Sequence, residues 1–182
     1  MAKKNTLKYV ILGLLRQHDL TGYDIKKLFS CEIGDFWNSK HSQIYPELKK
    51  LEEEHLITSR MEISGKKLEK TYYMIKSAGI DALDKWLSDP LDEIQPTRDD
   101  FTLKLYFIDH RHDQRIKNLF SEEILRHQKK FDYLSARMGE LFSSRENQEQ
   151  NFGHYLILKK AILRENTQLK WLKDEYRSLK NN

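Results

Sequence analysis

Apolar residues recur through the first ninety positions at spacings that change from one segment to the next. Leu7, Val10, Ile11, Leu14 and Leu15 fall at i, i+3, i+4, i+7 and i+8, the core-facing stripe of a first helix. Thr21 with Asp24 three residues on has the form of a capping box, and Ile25, Leu28 and Phe29 line one face of a second helix behind it. From Ser42 onward, Ile44, Leu48 and Leu51 make one side of a third helix apolar, while Ser42, Gln43, Tyr45 and Lys49 project elsewhere. Pro46 falls in its first turn, where a missing N–H costs little, so the helix is expected to start within about two residues of Ser42 and to close at His55. The period then changes to two. Ile57 to Ile63 and Glu69 to Ile75 alternate as strands around a Ser64-Gly65-Lys66-Lys67 tip, which predicts a hairpin. Ile80, Leu83, Trp86 and Leu87 predict a fourth helix that ends near Asp89-Pro90.

The stretch DPLDEIQPT, with two prolines and three acids, is the predicted boundary between domains. Beyond it a short helix is expected to open at Thr97, with Asp100 three residues on and Phe101, Leu105 and Ile108 along one face. Two long heptad seams follow. Phe120, Ile124, His127, Phe131, Leu134, Met138 and Leu141 alternate spacings of four and three, with His127 the polar member. Tyr155, Leu158, Ile162, Glu165, Leu169, Leu172, Tyr176 and Leu179 do the same, with Glu165 the polar member. The two helices are expected to join between Ser143 and Gln150. Such a hairpin alone leaves Tyr106, Phe107, Leu156, Leu163 and Trp171 partly uncovered, which predicts a second subunit against it. The fold class is therefore mainly α with a small β-wing: a winged helix-turn-helix over 1–89, a linker over 90–96, and a helical dimerisation and effector-response domain over 97–182.

A compact helix followed by a two-stranded wing is the layout of a DNA-reading element. The exposed residues of the third helix are short, polar and basic, suited to phosphates and base edges in a major groove wide enough to admit one helix. Lys66 and Lys67 at the wing tip, with Lys70 beside them, suit a phosphate backbone. Charge placement agrees with this. The net charge of +4 is modest, but residues 1–76 hold 14 Lys and Arg against 10 Asp and Glu, whereas residues 77–182 hold 18 of each. All of the excess lies in the winged segment.

Other chemistries are poorly served. Cys31 is the single cysteine, so no disulfide framework exists, and a packed thiol in a reducing cytosol is the expectation. The start MAKKNTLKYVILGLL is too short an apolar run to span a bilayer and lacks a small-residue cleavage site, so a cytoplasmic protein with no membrane partner is expected. Among seven histidines, His110 and His112 are nearest, but a spacing of two puts them on different helix faces, and no ligand set accompanies them. No phosphate loop, nucleophile elbow or paired-carboxylate motif is present, so neither a cofactor nor enzymatic activity is expected. The competing class is a helical scaffold whose winged domain binds protein; unlike a repressor, it would not lose duplex DNA steeply as salt rises.

Three stretches carry a family resemblance. YVILGLL with LTGYDI, SQIYPELKKLEEEHLI with KSAGIDALDKWL, and FGHYLILKKAILRE make the chain resemble PadR-family transcriptional regulators over nearly its whole length. KHSQIYPELKKL, GKKLEK and FGHYL are similar to the phenolic-acid-responsive members, which control a decarboxylase that detoxifies such acids. His55 departs from the pattern, where these proteins usually have Gly. The resemblance implies a homodimer on an inverted-repeat operator, repression in the free state, and release by a small aromatic acid such as p-coumarate. Such an acid needs a cation or donor for its carboxylate, apolar walls for its ring and a polar partner for its phenol. Phe36, Trp37, Lys40 and His41 between the second and third helices, and Tyr106, His154 and Tyr155 in the C-terminal half, are the candidates.

Overall fold

The computed structural model describes residues 5–31, 33–35, 37, 41–64, 68–91 and 99–180. The chain divides into two compact units, Met1–Glu93 and Ile94–Asn182. In the first unit α1 (Thr6–Gln17), β1 (Leu20–Thr21), α2 (Gly22–Cys31), α3 (Ile44–Glu53), β2 (Ile57–Ser64), β3 (Leu68–Ile75) and α4 (Ser77–Ser88) follow one another, with 3₁₀ turns at Ile33–Asp35 and His41–Gln43. Its core is built from the predicted stripes: Leu7, Ile11 and Leu15 of α1, Ile25 and Phe29 of α2, and Ile44, Leu48 and Leu51 of α3 are all buried. Leu12, outside the predicted stripe, is fully buried as well, because α4 covers a second side of α1. There Tyr9 stacks on Trp86 at 4.8 Å, and Gly79 lets α4 approach so closely that a Cβ would fall 2.3 Å from the Leu56 carbonyl oxygen. Leu87 lies one position round from this contact and is exposed rather than core-facing.

Local chemistry sets the element ends. The Thr21 hydroxyl accepts from the Asp24 amide and the Asp24 carboxylate accepts from the Thr21 amide, both at 3.1 Å, which is the capping box of α2. The hydrogen bond from Thr21 holds the Asp24 carboxyl below its ordinary range. Helix α3 ends in a Schellman turn, in which the Leu56 amide donates to Leu51 and the His55 amide to Glu52, each at 3.0 Å. His55 accordingly sits in the left-handed region, at φ 57°. β2 and β3 pair antiparallel from Ile57 with Ile75 to Ser64 with Leu68. The two-residue β1, which no period announces, adds a third strand on the other side of β3 through Leu20 with Tyr73 and Thr21 with Tyr72.

The second unit holds α5 (Asp100–Tyr106), α6 (Gln114–Leu141), α7 (Arg145–Gln150) and α8 (Phe152–Lys180). Thr97 lies outside the described residues; the side chain that caps α5 is that of Asp99, accepting from the Phe101 amide at 3.0 Å. The join between the long helices is itself largely helical, since Ser144 caps α7 by accepting from the Asn147 amide. Helices α6 and α8 pack antiparallel along their heptad seams. Leu134, Phe142, Leu158 and Ala161 fill one end of the seam, and Phe101, Phe120 and Leu172 the other.

The two polar members of the seams meet in the middle. His127 Nδ1 lies 2.5 Å from Glu165 and Nε2 lies 3.0 Å from Glu123, and both carboxylates are buried. Arg126 and Arg164 flank the cluster at 3.1 Å from Glu123 and 2.9 Å from Glu165. Burial pushes the Glu165 carboxyl up, but the hydrogen bonds from His127 and Arg164 outweigh it and hold the group below the ordinary range.

Candidate nucleic-acid interface and effector residues

Helix α3 presents two chemically distinct sides. Ile44, Leu48 and Leu51 fix it to the core, and the Asn5 side chain donates to the buried Glu47 at 2.8 Å, tying the start of α1 to the same helix. Ser42 and Gln43 in the preceding 3₁₀ turn, Tyr45 in the first turn, and Lys49 and Lys50 beyond it face solvent. Pro46 is the third residue of the helix, within the turn that has no intrahelical N–H bonds to lose. Gln43 occupies the N-cap position without using its side chain as a cap, so its amide is not consumed by the helix. Lys49 is 81% exposed, with Glu53 no nearer than 3.9 Å, a spacing that contributes little and leaves the ammonium available to an outside anion.

The wing is described up to its last strand pairs. Lys66 and Lys67 lie outside the described residues. Lys70 stands opposite Glu62 and is half-buried, and its charge reaches Asp24 at the start of α2. It lines a cleft of about 550 Å³ where α2, α3 and the wing converge, with Tyr23, Tyr45 and Tyr73 around it. Burial pushes the Tyr73 phenol up, with Glu52 and Tyr45 adding to the shift. The Tyr45 ring lies over Gly22, a contact that the helical period of α3 does not announce.

The effector candidates are spread through the chain. Phe36 and Lys40 lie outside the described residues, as does the side chain of His41, whose backbone opens the turn before α3. Trp37 packs against Phe29 at 5.9 Å on the edge of the N-terminal core. His154 and Tyr155 begin α8 together, each against an edge of Phe142 at 5.3 and 5.6 Å, and Lys159 lies over the Tyr155 ring. Tyr106 ends α5, exposed and edge-on to Phe107. Helix α5 packs in the cluster that contains Phe120, Leu172 and Tyr176, at the opposite end of the hairpin from Phe142. One chain therefore brings His154 and Tyr155 together but does not bring Tyr106 to them. An open groove of about 450 Å³ that no sequence period announces lies between α5 and α6, where Lys104 and Arg115 flank Phe107, Ile108 and Leu119. Arg115 there is engaged by Asp113, whose carboxyl it holds far below the ordinary range.

Residues 11–85 match the model of the transcriptional regulator PadR-like family, and residues 97–180 match that of the virulence activator alpha C-terminal region. The chain is 44% identical over 169 residues to the negative transcriptional regulator PadR of Bacillus subtilis (strain 168), covering 91% of this chain and 93% of that protein. The chain belongs to the PadR-like family of transcriptional regulators. Its fold is similar to the crystal structure of Bacillus subtilis PadR in complex with operator DNA, at a TM-score of 0.85 and 42% identity over 96% of this chain and 99% of that one. It is also similar to the structure of the same protein in complex with p-coumaric acid, at a TM-score of 0.82 and 39% identity over 96% and 98% of the two chains. A PadR-like chain is a regulator and not an enzyme, which agrees with the lack of catalytic motifs in the sequence. No helix of this PadR-like protein, among the described residues, is long and apolar enough to cross a membrane. No group of three His, Cys, Asp or Glu among those residues is placed to hold a metal ion.

Proposed function

We propose that this PadR-like protein is a cytoplasmic, homodimeric transcriptional repressor. It binds an inverted-repeat operator through α3 and the wing, and a small phenolic acid such as p-coumarate releases it, so that phenolic acid decarboxylase is expressed when the acid is present. The observation that carries this reading is likeness over nearly the full length to a negative regulator whose crystal structures hold operator DNA in one case and p-coumaric acid in the other. The polar outer side of α3 supplies the chemistry. Gln43 and Tyr45 lie where they can discriminate bases, Ser42 and Lys49 where they can hold phosphates, and Lys66, Lys67 and Lys70 extend the contact along the backbone.

Dimerisation is supported by apolar side chains that one chain leaves open: Tyr106, Phe107, Leu156, Leu163 and Trp171 are all exposed on the C-terminal unit. Two copies present two reading helices, which fits a two-fold symmetric site. In this reading His154 meets the effector carboxylate or phenolate and Tyr155 offers a flat wall, while Phe36, Trp37, Lys40, His41 and Tyr106 are further candidates for contact with it. The separation of Tyr106 from His154 within one chain means that a site using both draws on two copies.

Duplex selection from random DNA, followed by fluorescence anisotropy at rising salt, tests the reading. The expected result is one preferred inverted repeat, bound by a particle of twice the chain mass in light scattering, with affinity falling steeply as salt rises. A monomer, or binding to no duplex, contradicts it.

A further inference from the structure

We infer that Gly22 is a positioning residue for DNA recognition: it is the seat that holds the Tyr45 ring of the reading helix against α2. The inference rests on the reading of α3 as the DNA-contacting helix and names a residue outside α3 that sets its chemistry.

A Cβ at Gly22 would lie 2.5 Å from Tyr45 Cε1, 3.0 Å from Cζ and 3.2 Å from the hydroxyl oxygen. Tyr45 is nevertheless 54% exposed, so its ring rests on the α2 backbone with an outer side open. Neither wall of this contact can back away. Gly22 is the first residue of α2, and the Thr21–Asp24 capping box fixes that end of the helix. Across from it, Ile44 and Leu48, on either side of Tyr45, are fully buried. The gap between α2 and α3 is thus set by two packed elements, and only a residue without a side chain leaves room for the ring.

Backbone conformation does not account for glycine here. Gly22 is not in the left-handed region, and alanine is the better helix former at a helical position. The cost of a methyl group falls on the Tyr45 ring alone, whose flexible far end can swing outward. Seated, the ring has its rotamer chosen before DNA arrives and stands at the cleft shared with Tyr73 and Lys70 of the wing. Displaced, it must be ordered on binding, which for a side chain with two χ angles weakens affinity by only about 2- to 5-fold.

The test is a double-mutant cycle on the full chain with wild type, Gly22→Ala, Tyr45→Ala and the double variant. Each is titrated against the inverted-repeat duplex that wild type selects and against a random duplex, and each is melted in parallel. Gly22→Ala is expected to weaken the selected duplex by about 2- to 5-fold, to leave the random duplex unchanged and to keep the melting temperature at or above that of wild type. In the Tyr45→Ala background the same Gly22→Ala change is expected to have no effect on binding. An equal loss from Gly22→Ala in both backgrounds overturns the seat, as does no loss when Tyr45→Ala alone weakens binding. Should Gly22→Ala fold poorly, recovery of its melting temperature in the double variant supports the steric seat, and no recovery overturns it. A wild type that selects no duplex overturns the reading of α3, and the recognition role of Gly22 with it.

Discussion

Replacing His127 by leucine is expected to destabilise the C-terminal unit by about 3 kcal/mol, the low end of what breaking a buried ion pair costs. Two carboxylates, Glu123 and Glu165, lose their shared partner at once, and they are only 6% and 4% exposed. Arg126 and Arg164 remain, but their side chains are 69% and 67% exposed, so solvent screens what they return. Urea unfolding followed by circular dichroism, together with hydrogen exchange over residues 120–134, measures the loss. The companion variant replaces Glu123, His127 and Glu165 with leucine together. It is expected to recover the lost stability, because a well-packed apolar layer is often as stable as a buried ionic one. What it should lose is register. Phe120, His127 and Leu134 on α6 face Leu172, Glu165 and Leu158 on α8 in steps of seven. A slip of one heptad, about 10 Å along the helix, would keep apolar layers on apolar layers everywhere except at His127 and Glu165. The triple variant should therefore show faster amide exchange along both helices at equal or higher stability. A loss below 1 kcal/mol for His127→Leu, or a triple variant as unstable as the single one, would refute this reasoning.

Three further outcomes are expected. His55→Gly should raise stability by about 0.5 to 1 kcal/mol, since it relieves the left-handed cost at φ 57° while loosening the unfolded chain; no gain in urea midpoint would remove the cap from the account. Asp24 and Glu165 both titrate below their ordinary values, so the stability they contribute is present above the unfolded carboxylate range near about 4 and is lost as pH falls through their folded values; a melting temperature that stays level through acid would contradict both assignments. Gln43→Ala should cost about 1 to 3 kcal/mol on the selected operator and little on random DNA, whereas Lys66→Ala should weaken all duplexes alike and flatten the salt dependence by roughly one phosphate contact; equal losses on both duplexes for Gln43→Ala would show that it does not read bases.

Period and cap chemistry made most of the fold legible. The seams of α6 and α8 stood out as heptads, and their single polar members, His127 and Glu165, proved to be partners because a buried polar residue in one seam needs its counterpart in the other. The Thr21–Asp24 box was readable for the same kind of reason, since its spacing is a hydrogen-bonding pattern. What escaped is set by tertiary context. β1 is two residues long and exists only because β3 offers it an edge, and Leu12 is buried only because α4 returns to cover it. Asp99 caps α5, and residue type alone does not pick it out among the polar residues that precede the helix. In the candidate interface, the outward side of α3 followed from the helical period. The seat under Tyr45 did not, because it depends on where a glycine in a different helix comes to lie.

Whether a phenolic acid and an operator bind this protein in mutual opposition is decided by calorimetric titration of p-coumarate into the protein with and without saturating operator. p-Coumarate is expected to bind the free protein, and operator to lower its affinity by the same factor by which p-coumarate lowers operator affinity. His154→Ala is expected to weaken the acid while leaving operator binding unchanged. Absence of heat with the free protein, or an acid affinity that operator does not alter, would contradict that opposition.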